Sequence, residues 1–433
     1  MTRLLTKNSI AISTIGLVLL CLTTLCPISR ADDDPHKLVV GKPNTPCPNA
    51  QYSTIVAAVS AASPGDEIDI CPALYPEQLI ITKPLKLVGI TENGVGRIIL
   101  QPTLTSLAGL PFEAVITVMN THDVTIENLA IDASENSVAG CAKNTNGVIT
   151  GGLAGIHFYN ASGSVENSAI FGAQLPPPGC AALFPGNGFG VEVDTDGTST
   201  GPFQVSIDRN SIHDFGRNGI LAVGASVKLQ ADRNSISGVG PSTGANQFGI
   251  FLALGTVGHV TANVISQGLC TGISTAACIN LRSEGVVLRA VGDGTAVGGN
   301  VITNVQSGIF INGGNDARIT NNIIKNVQAL DGIDIQGTAA GHFTNSVIER
   351  NTIFNVFPIN SDASNDEAGC GIKEASSTGV SGNIFRNNTV NDAFCGIAFV
   401  TADSVQSGTY FNTLYTTLNS DSYPTMFPPA TEP

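Results

Sequence analysis

Two acidic residues stand two apart in Gly-Val-Glu192-Val-Asp194, and Asp196 follows two further on. An earlier phrase of the same form, Gly-Ile-His157-Phe-Tyr159, carries an imidazole and a phenol at the matching positions. If both phrases are strands, residues two apart share a face with their Cα atoms ~7 Å from each other. That spacing is compatible with the wider carboxylate separation of inverting glycosidases. There one carboxylic acid protonates the leaving oxygen and the other carboxylate activates water. Glu192 and Asp194 are therefore a candidate acid and base, His157 could tune either group, and Tyr159 is a candidate substrate contact. Asp194 and Asp196, beside Glu192, also offer the hard oxygen donors that Ca²⁺ takes. The plain alternative is a solvated acidic strand end.

A second polar set is Arg289, Asn312, Asp334, Gln336 and Lys373. It resembles β-eliminating lyases in kind. In those enzymes a basic side chain removes the proton α to a uronate carboxyl and Ca²⁺ neutralises the acid. Arg289 or Lys373 would be the base, with Asn312, Asp334 and Gln336 as substrate contacts. A cross-strand Asp334–Lys373 ion pair would explain the same residues without chemistry.

Both sets depend on elements that repeat. The phrase Gly-apolar-x-apolar recurs as GIHF (155), GVEV (190), GILA (219), GIFL (249), GVVL (285), GIFI (308), GIDI (332), GIKE (371) and GIAF (396). A hexad of the form apolar-x-x-Asn-x-apolar alternates with it, as IDRNSI (207), ADRNSI (231), VTANVI (260), VGGNVI (297), ITNNII (319), IERNTI (348) and FRNNTV (385). IENLAI (126) and VENSAI (165) are earlier variants. The tightest steps between Gly phrases are 23, 24 and 25 residues, and longer steps carry inserts. A fixed period of this size is the mark of a solenoid, and the two-residue apolar rhythm is that of strands.

The predicted fold is all-β: a single-stranded, right-handed parallel β-helix solenoid over 64–415. One bend residue per coil is expected in the left-handed region, which Asn tolerates, with stacked Asn amides hydrogen-bonding from coil to coil. Alternation sends the x residues of the Gly phrases outward. One outer row then reads His157, Glu192, Leu221, Phe251, Val287, Phe310, Asp334, Lys373. The next reads Tyr159, Asp194, Val223, Ala253, Arg289, Asn312, Gln336. The two polar sets lie five coils apart, roughly 24 Å, with an apolar stripe between them that predicts a covering loop or a partner. The insert holding Cys270 and Cys278 is the candidate lid.

Upstream, residues 53–63 read as a short amphipathic helix, with Ile55, Val56, Val59 and Ala62 apolar, that caps the first coil. Residues 64–90 supply that coil in three short strands, Glu67–Cys71, Gln78–Thr82 and Leu85–Ile90. Residues 1–31 have the charge, apolar run and Ser-Arg-Ala end of a secretory signal. Residues 32–52 form a leader, and 416–433 a frayed tail.

The chain holds 20 Lys and Arg against 34 Asp and Glu, a net charge of −14. Loss of the three basic residues of the signal makes it −17. Such a surface repels nucleic acid and anionic lipid. It would also repel a polyuronate unless Ca²⁺ bridges the two. Eight Cys remain after the signal, an even number that favours disulfides in a secreted chain. Cys370 and Cys395 each precede a Gly phrase in adjacent coils, so their Cα atoms fall ~4.8 Å apart, within disulfide range. Cys141–Cys180 would join two inserts, Cys270–Cys278 would close a small loop, and Cys47–Cys71 would tie the leader to the first coil.

The stretch YSTIVAAVSAASPGDEIDICPALYPEQLIITKPLKLVGI (52–90) resembles the capping helix and opening coil of the pectin-lyase-like right-handed parallel β-helix superfamily. The Asn-rich hexads resemble the repeats of its polysaccharide-active proteins and of periplasmic copper-associated members. Copper is disfavoured, because only Met119 and Met426 lie beyond the signal and the six His are dispersed. Tyr75-Pro-Glu77 is similar to the opening signature of pectinesterases. Their Gly-Arg-Pro-Trp motif cannot occur in a chain without Trp, so Tyr75 and Glu77 are read as structural, with Glu77 in solvent. The resemblance implies binding, and hydrolase or lyase cleavage, of a carbohydrate polymer outside the cytoplasm. The competing expectation is a non-catalytic surface or periplasmic accessory module.

Overall fold

Alternating apolar residues make short strands here, and residues that tolerate unusual dihedrals stop each one after two to seven residues. A computed structural model describes residues 36–43, 47, 49–90, 98–102, 113–135, 152–174, 188–240, 246–267, 282–337, 342–357, 369–374, 379–399, 408–410 and 412–417. Its three large sheets, of 13, 12 and 11 strands, are all-parallel. One coil visits each sheet in turn: Leu153–Tyr159 in the 11-stranded sheet, Gly163–Glu166 in the 13-stranded sheet, Ala169–Phe171 in the 12-stranded sheet. The next coil then begins with Gly188–Asp194, paired directly onto Leu153–Tyr159. The chain is a right-handed parallel β-helix, as its repeats predict.

Like residues stack in the interior. Ile126, Val165, Ile207, Ala231, Val260, Val297, Ile319, Ile348 and Phe385 are register partners in successive coils and are fully buried. Burying each large member contributes roughly 1.5–3 kcal/mol relative to leaving it exposed.

The corner after these residues divides its work between two neighbours rather than giving it all to one Asn. The third residue of the hexad takes the left-handed bend, as at Asn167 (φ 48°), Arg209 (55°), Arg233 (54°), Ala262 (55°) and Asn321 (56°). The fourth turns its amide inward and stacks. In Asn210, Asn234, Asn263, Asn300, Asn322, Asn351 and Asn388 the side chain is sealed from water. Asn300 is typical. Its Oδ1 accepts from the backbone N and the Nδ2 of Asn263 at 2.9 and 3.0 Å, and its Nδ2 donates to Val260 O and Asn322 Oδ1, both at 2.9 Å. Each amide thereby pairs its donors and acceptor inside an apolar tube, the condition for burying it at all.

The Gly of the Gly phrase has a different task. A Cβ on Gly249 would lie 2.5 Å from Gly285 O and 2.6 Å from Ile265 Cγ2. Only hydrogen fits where the 11-stranded sheet passes that close to the next corner. The Gly and the apolar residue after it both face inward, so strict alternation breaks there. The residue before the Gly is returned to the outer face. Phe248, in that position, packs with Phe251, Val287 and Phe310 in a cluster separate from the interior core.

At the N-terminal end, Glu67–Ile70, Leu74–Tyr75, Leu79–Ile81 and Lys86–Gly89 complete one coil. The two-residue strand at Leu74 was not foreseen. Nor was Lys37–Val40, a strand that pairs with Glu67–Ile70 and draws the leader into the 13-stranded sheet. The helix spans Ile55–Ala61, and the Thr54 side chain accepts from Ala57 N. Ile55, Ala58 and Val59 seal the core, while Val56 is 45% exposed. Glu77 is not in solvent. Its Oε2 accepts from Val56 N at 2.8 Å in the helix's first turn. Tyr75 is buried, donates to Cys71 O at 2.9 Å, and has its phenol pushed up to about 12 by burial, with Glu77 adding to the shift.

Cys47–Cys71 and Cys370–Cys395 are bonded, with Cα atoms 6.3 and 4.3 Å apart. Cys141, Cys180, Cys270 and Cys278, the signal and the tail from 418 onward lie outside the described residues. Among the described residues no helix is long and apolar enough to cross a membrane.

Removing a rung of the amide stack leaves buried groups unpaired at roughly 1–3 kcal/mol each. Asn300→Ala is expected to cost about 3 kcal/mol, read as a lower urea midpoint. Ala262→Gly should have the opposite sign: relieving a left-handed alanine gains about 1 kcal/mol, read as a higher midpoint in the same assay.

Candidate active site

The 11-stranded sheet carries its polar groups at the first coils and at the last. At the first, Leu153–Tyr159 pairs with Gly188–Asp194 so that His157 sits beside Glu192 and Tyr159 beside Asp194. His157 Nε2 lies 2.7 Å from Asp194 Oδ1, a hydrogen bond across the diagonal of this square. The rings of His157 and Tyr159 are 5.8 Å apart and tilted by 56°. His157 is wholly buried, Glu192 is 2% exposed, and Asp194 and Tyr159 are half-buried. Burial, reinforced by the charge of Asp194, pushes the Glu192 carboxyl well above the usual carboxylate range. It therefore carries its proton where an ordinary glutamate would have lost it. Its Oε2 has no hydrogen-bond partner among the described residues.

All four residues expected here do come together. Asp196 is engaged apart from them, in its own turn. Its two oxygens accept from the backbone N of Thr198 and Ser199, from Ser199 Oγ and from Asn160 Nδ2, at 2.7 to 3.0 Å. These bonds hold its carboxyl far below the usual range and use it to cap a turn. Among the described residues no three His, Cys, Asp or Glu side chains converge to hold a metal ion. The expected Ca²⁺ pair Asp194 and Asp196 is thus directed to His157 on one side and to a turn on the other.

The second set is rearranged. Lys373 is the register neighbour of Asp334, but its Nζ lies 3.6 Å from Asp331 Oδ2, so the ion pair is with Asp331. Asp331 Oδ1 accepts from Cys370 N at 2.8 Å, and Gln336 Nε2 donates to Asp334 Oδ2 at 2.9 Å. Arg289 is exposed and Asn312 half-buried; they are register partners on adjacent coils, and Arg289 lies three coils from Lys373, ~14 Å along the axis. Arg289 and Lys373 therefore do not share one centre, and the buried, paired Lys373 is a poor base.

The structure adds two acids to this end, Glu284 and Asp331. Both are sealed from water and occupy the position before the Gly of their phrases. Burial raises Glu284 to about 7, with Asp334 adding and Arg282 opposing. Asp331 is also raised to about 7, by burial and Asp334 against the pull of Lys373.

These acids escaped the sequence reading because alternation was counted only downstream of the Gly. The signal was available: the position before Gly is the one that paired Cys370 with Cys395. The apolar stripe is largely covered. Val287 and Phe310 are buried against Phe248, and Arg282 lies over the Phe310 ring at 5.2 Å. The candidate lid, 268–281, lies outside the described residues.

Glu284 keeps its proton in the folded chain up to about 7, whereas in the unfolded chain it ionises near 4.5, so deprotonation favours the unfolded chain. Wild-type stability contributed by this group is therefore present at pH 4.5 and lost as pH climbs through 7. Glu284→Gln does not titrate, so its melting temperature relative to wild type should rise between about pH 4.5 and 7, where the unfolded chain has lost a proton that the folded one keeps, and level off above that. A difference independent of pH would contradict this assignment.

No protein-family model matches the chain, and no curated protein matches its sequence. Solved structures do. The tailspike protein of Dettilon superposes with a TM-score of 0.50 at 15% identity, over 83% of this chain and 63% of that one. The GH136 lacto-N-biosidase from Eubacterium ramulus superposes with a TM-score of 0.53 at 10% identity, over 88% of this chain and 68% of that one. The chain thus spans less than two thirds of the tailspike's length. Likeness of shape at so low an identity speaks for the fold alone, and with the all-parallel sheets it identifies the chain as a right-handed parallel β-helix.

Proposed function

We propose that this protein acts outside the cytoplasm on a carbohydrate polymer, holding it along the 11-stranded sheet and hydrolysing it at Glu192, Asp194 and His157. The carrying observation is Glu192, a sealed carboxylic acid with a free Oε2 two residues from an imidazole-bound carboxylate. In the reaction the Glu192 proton goes to the glycosidic oxygen as its bond to the anomeric carbon breaks. Water forms the new bond from the opposite face and gives its proton to Asp194. His157 holds the Asp194 carboxylate in position, and Tyr159 borders the site. The two disulfides fit a chain that matures in an oxidising compartment. One of the two superposed structures is a lacto-N-biosidase.

A β-elimination at Arg289 or Lys373 is less well supported, since those cations are apart and Lys373 is paired. One observation favours the accessory-module reading instead: His157 and Glu192 are covered, as suits a buried polar pair with no turnover.

A polysaccharide panel assayed for new reducing ends and for absorbance at about 235 nm, the signature of an unsaturated elimination product, separates the readings. Hydrolysis yields reducing ends without that absorbance. Glu192→Gln is expected to lower the rate at least 100-fold with the melting temperature unchanged or higher. Wild-type activity should fall on the alkaline side as Glu192 loses its proton. Full activity in the Glu192→Gln, Asp194→Asn double variant would refute the mechanism. Glycan binding with no product would favour the accessory module.

A further inference from the structure

We propose that an open groove on the 12-stranded sheet, away from the proposed active site, binds a segment of a neutral glycan. The groove has a volume of about 400 Å³ and is lined by Asn326, Val327, Gln328, Asn355 and Phe357. A volume of that order falls within the usual range of small-ligand sites. The lining residues belong to the strands Ile323–Gln328 and Thr352–Phe357, four and five coils beyond Glu192, ~19 and ~24 Å along the axis. The inference goes beyond the proposed hydrolysis, since this groove can bind whether or not the other sheet cleaves.

Repetition builds the groove from the backbone up. Asn304, Asn326 and Asn355 hold matching places in successive coils, just before the register partners Val305, Val327 and Val356. All three are left-handed, with φ of 54°, 55° and 58°. Their amides form a ladder: Asn326 Nδ2 donates to Asn304 Oδ1 at 3.2 Å, and Asn355 Nδ2 donates to Asn326 Oδ1 at 3.1 Å. Unlike the sealed interior stack, this ladder meets water. A primary amide has two N–H donors and two acceptor lone pairs. Asn326, which is exposed, uses one of each on its neighbours and keeps one of each for a ligand. Beyond the bend Gln328 is the register partner of Phe357, so a further amide stands beside a phenyl ring that is 38% exposed.

These groups select the class of ligand. None of the five lining side chains is charged. The groove therefore offers a uronate or a phosphate no cation, and the net charge of −14 repels either. An extended peptide finds no free backbone here, because both strands are already paired on each side. A sugar ring carries hydroxyls that donate and accept together, which matches the amides, and a C–H face that packs on an aromatic ring. The rungs recur every ~4.8 Å, close to the length of one pyranose unit, so adjacent sugars can meet equivalent amides.

The test uses the full chain carrying Glu192→Gln, so that binding is read without turnover at the proposed active site. Calorimetric titrations would use laminarin, xyloglucan and galactomannan as neutral probes, and polygalacturonate and alginate as acidic ones. At least one neutral probe is expected to bind in preference to both acidic ones, with an affinity indifferent to added salt. Phe357→Ala and Gln328→Ala should each weaken that binding about tenfold. Asn326→Gly should do the same, since it keeps the left-handed backbone and removes the amide. The Phe357 and Gln328 variants change partly exposed side chains and should melt with the parent. A merely structural role would lower the melting temperature and leave the affinity of the folded chain alone. Unchanged binding in the three folded variants, binding confined to the acidic probes, or no binding to any probe would each overturn the proposal. Groove-dependent binding of a neutral glycan that the wild type never cleaves would leave the groove standing and remove the hydrolase reading. Cleavage of a glycan by the wild type, with unchanged binding in all three variants, would do the reverse.

Discussion

The interior amide stack is the constraint on which the rest of this fold depends. A parallel coil must return to the same angular position after every turn, and apolar stacking alone is tolerant of slippage. Directional hydrogen bonds are not. From Asn210 to Asn388 each amide donates to the rung after it, from Asn234 to Asn412 each accepts from the rung before it, and each ties itself to a backbone carbonyl of the preceding coil. A shift of one residue would break these bonds inside an apolar tube, where the loss is not repaid by water. The left-handed residue just ahead makes the inward turn of the amide possible, and where Arg occupies it the side chain is given outside work. Arg233 Nε and Nη2 grip both carboxylate oxygens of Asp208 on the neighbouring coil.

Registration of the corners transmits itself to the outer face of the 11-stranded sheet. With each coil returning to the same angle, side chains far apart in sequence line up in rows, and the broken alternation at the Gly adds a row before it to the two rows after it. Polar groups in those rows are buried, and that burial sets their electrostatics. Desolvation is the leading cause of the raised pKa at Glu192, Glu284 and Asp331 alike, with neighbouring carboxylates second or third. Asp196 shows the contrary case: exposed to solvent, it is bound by backbone N–H groups and stays ionised. Four acids of similar chemistry thus divide, by environment alone, into three whose pKa burial raises and one whose pKa hydrogen bonding lowers.

The fold and much of the first polar cluster were legible because they are encoded as repetition. Gly phrases and Asn hexads report strand, corner and coil length together, and the coil spacing then predicts which side chains meet, His157 with Glu192 and Cys370 with Cys395 among them. What repetition does not report is the end of a side chain. Lys373 reaches past its register neighbour Asp334 to Asp331, Asp196 curls into its own turn, and Glu77 reaches the helix. Long or polar side chains choose among several acceptors, and the choice depends on local geometry below the resolution of a residue pattern.

By itself, then, the sequence determined the winding of the chain, the residues that line its interior and the set of side chains that could face outward, because backbone periodicity and apolar stacking depend only on residue type and spacing. The tertiary structure alone decided which outward groups lose their water, which acids are consumed as caps or ion pairs, and which polar atoms are left without a partner. Those properties arise from the distance between coils and from what covers them, and no single strand contains that information.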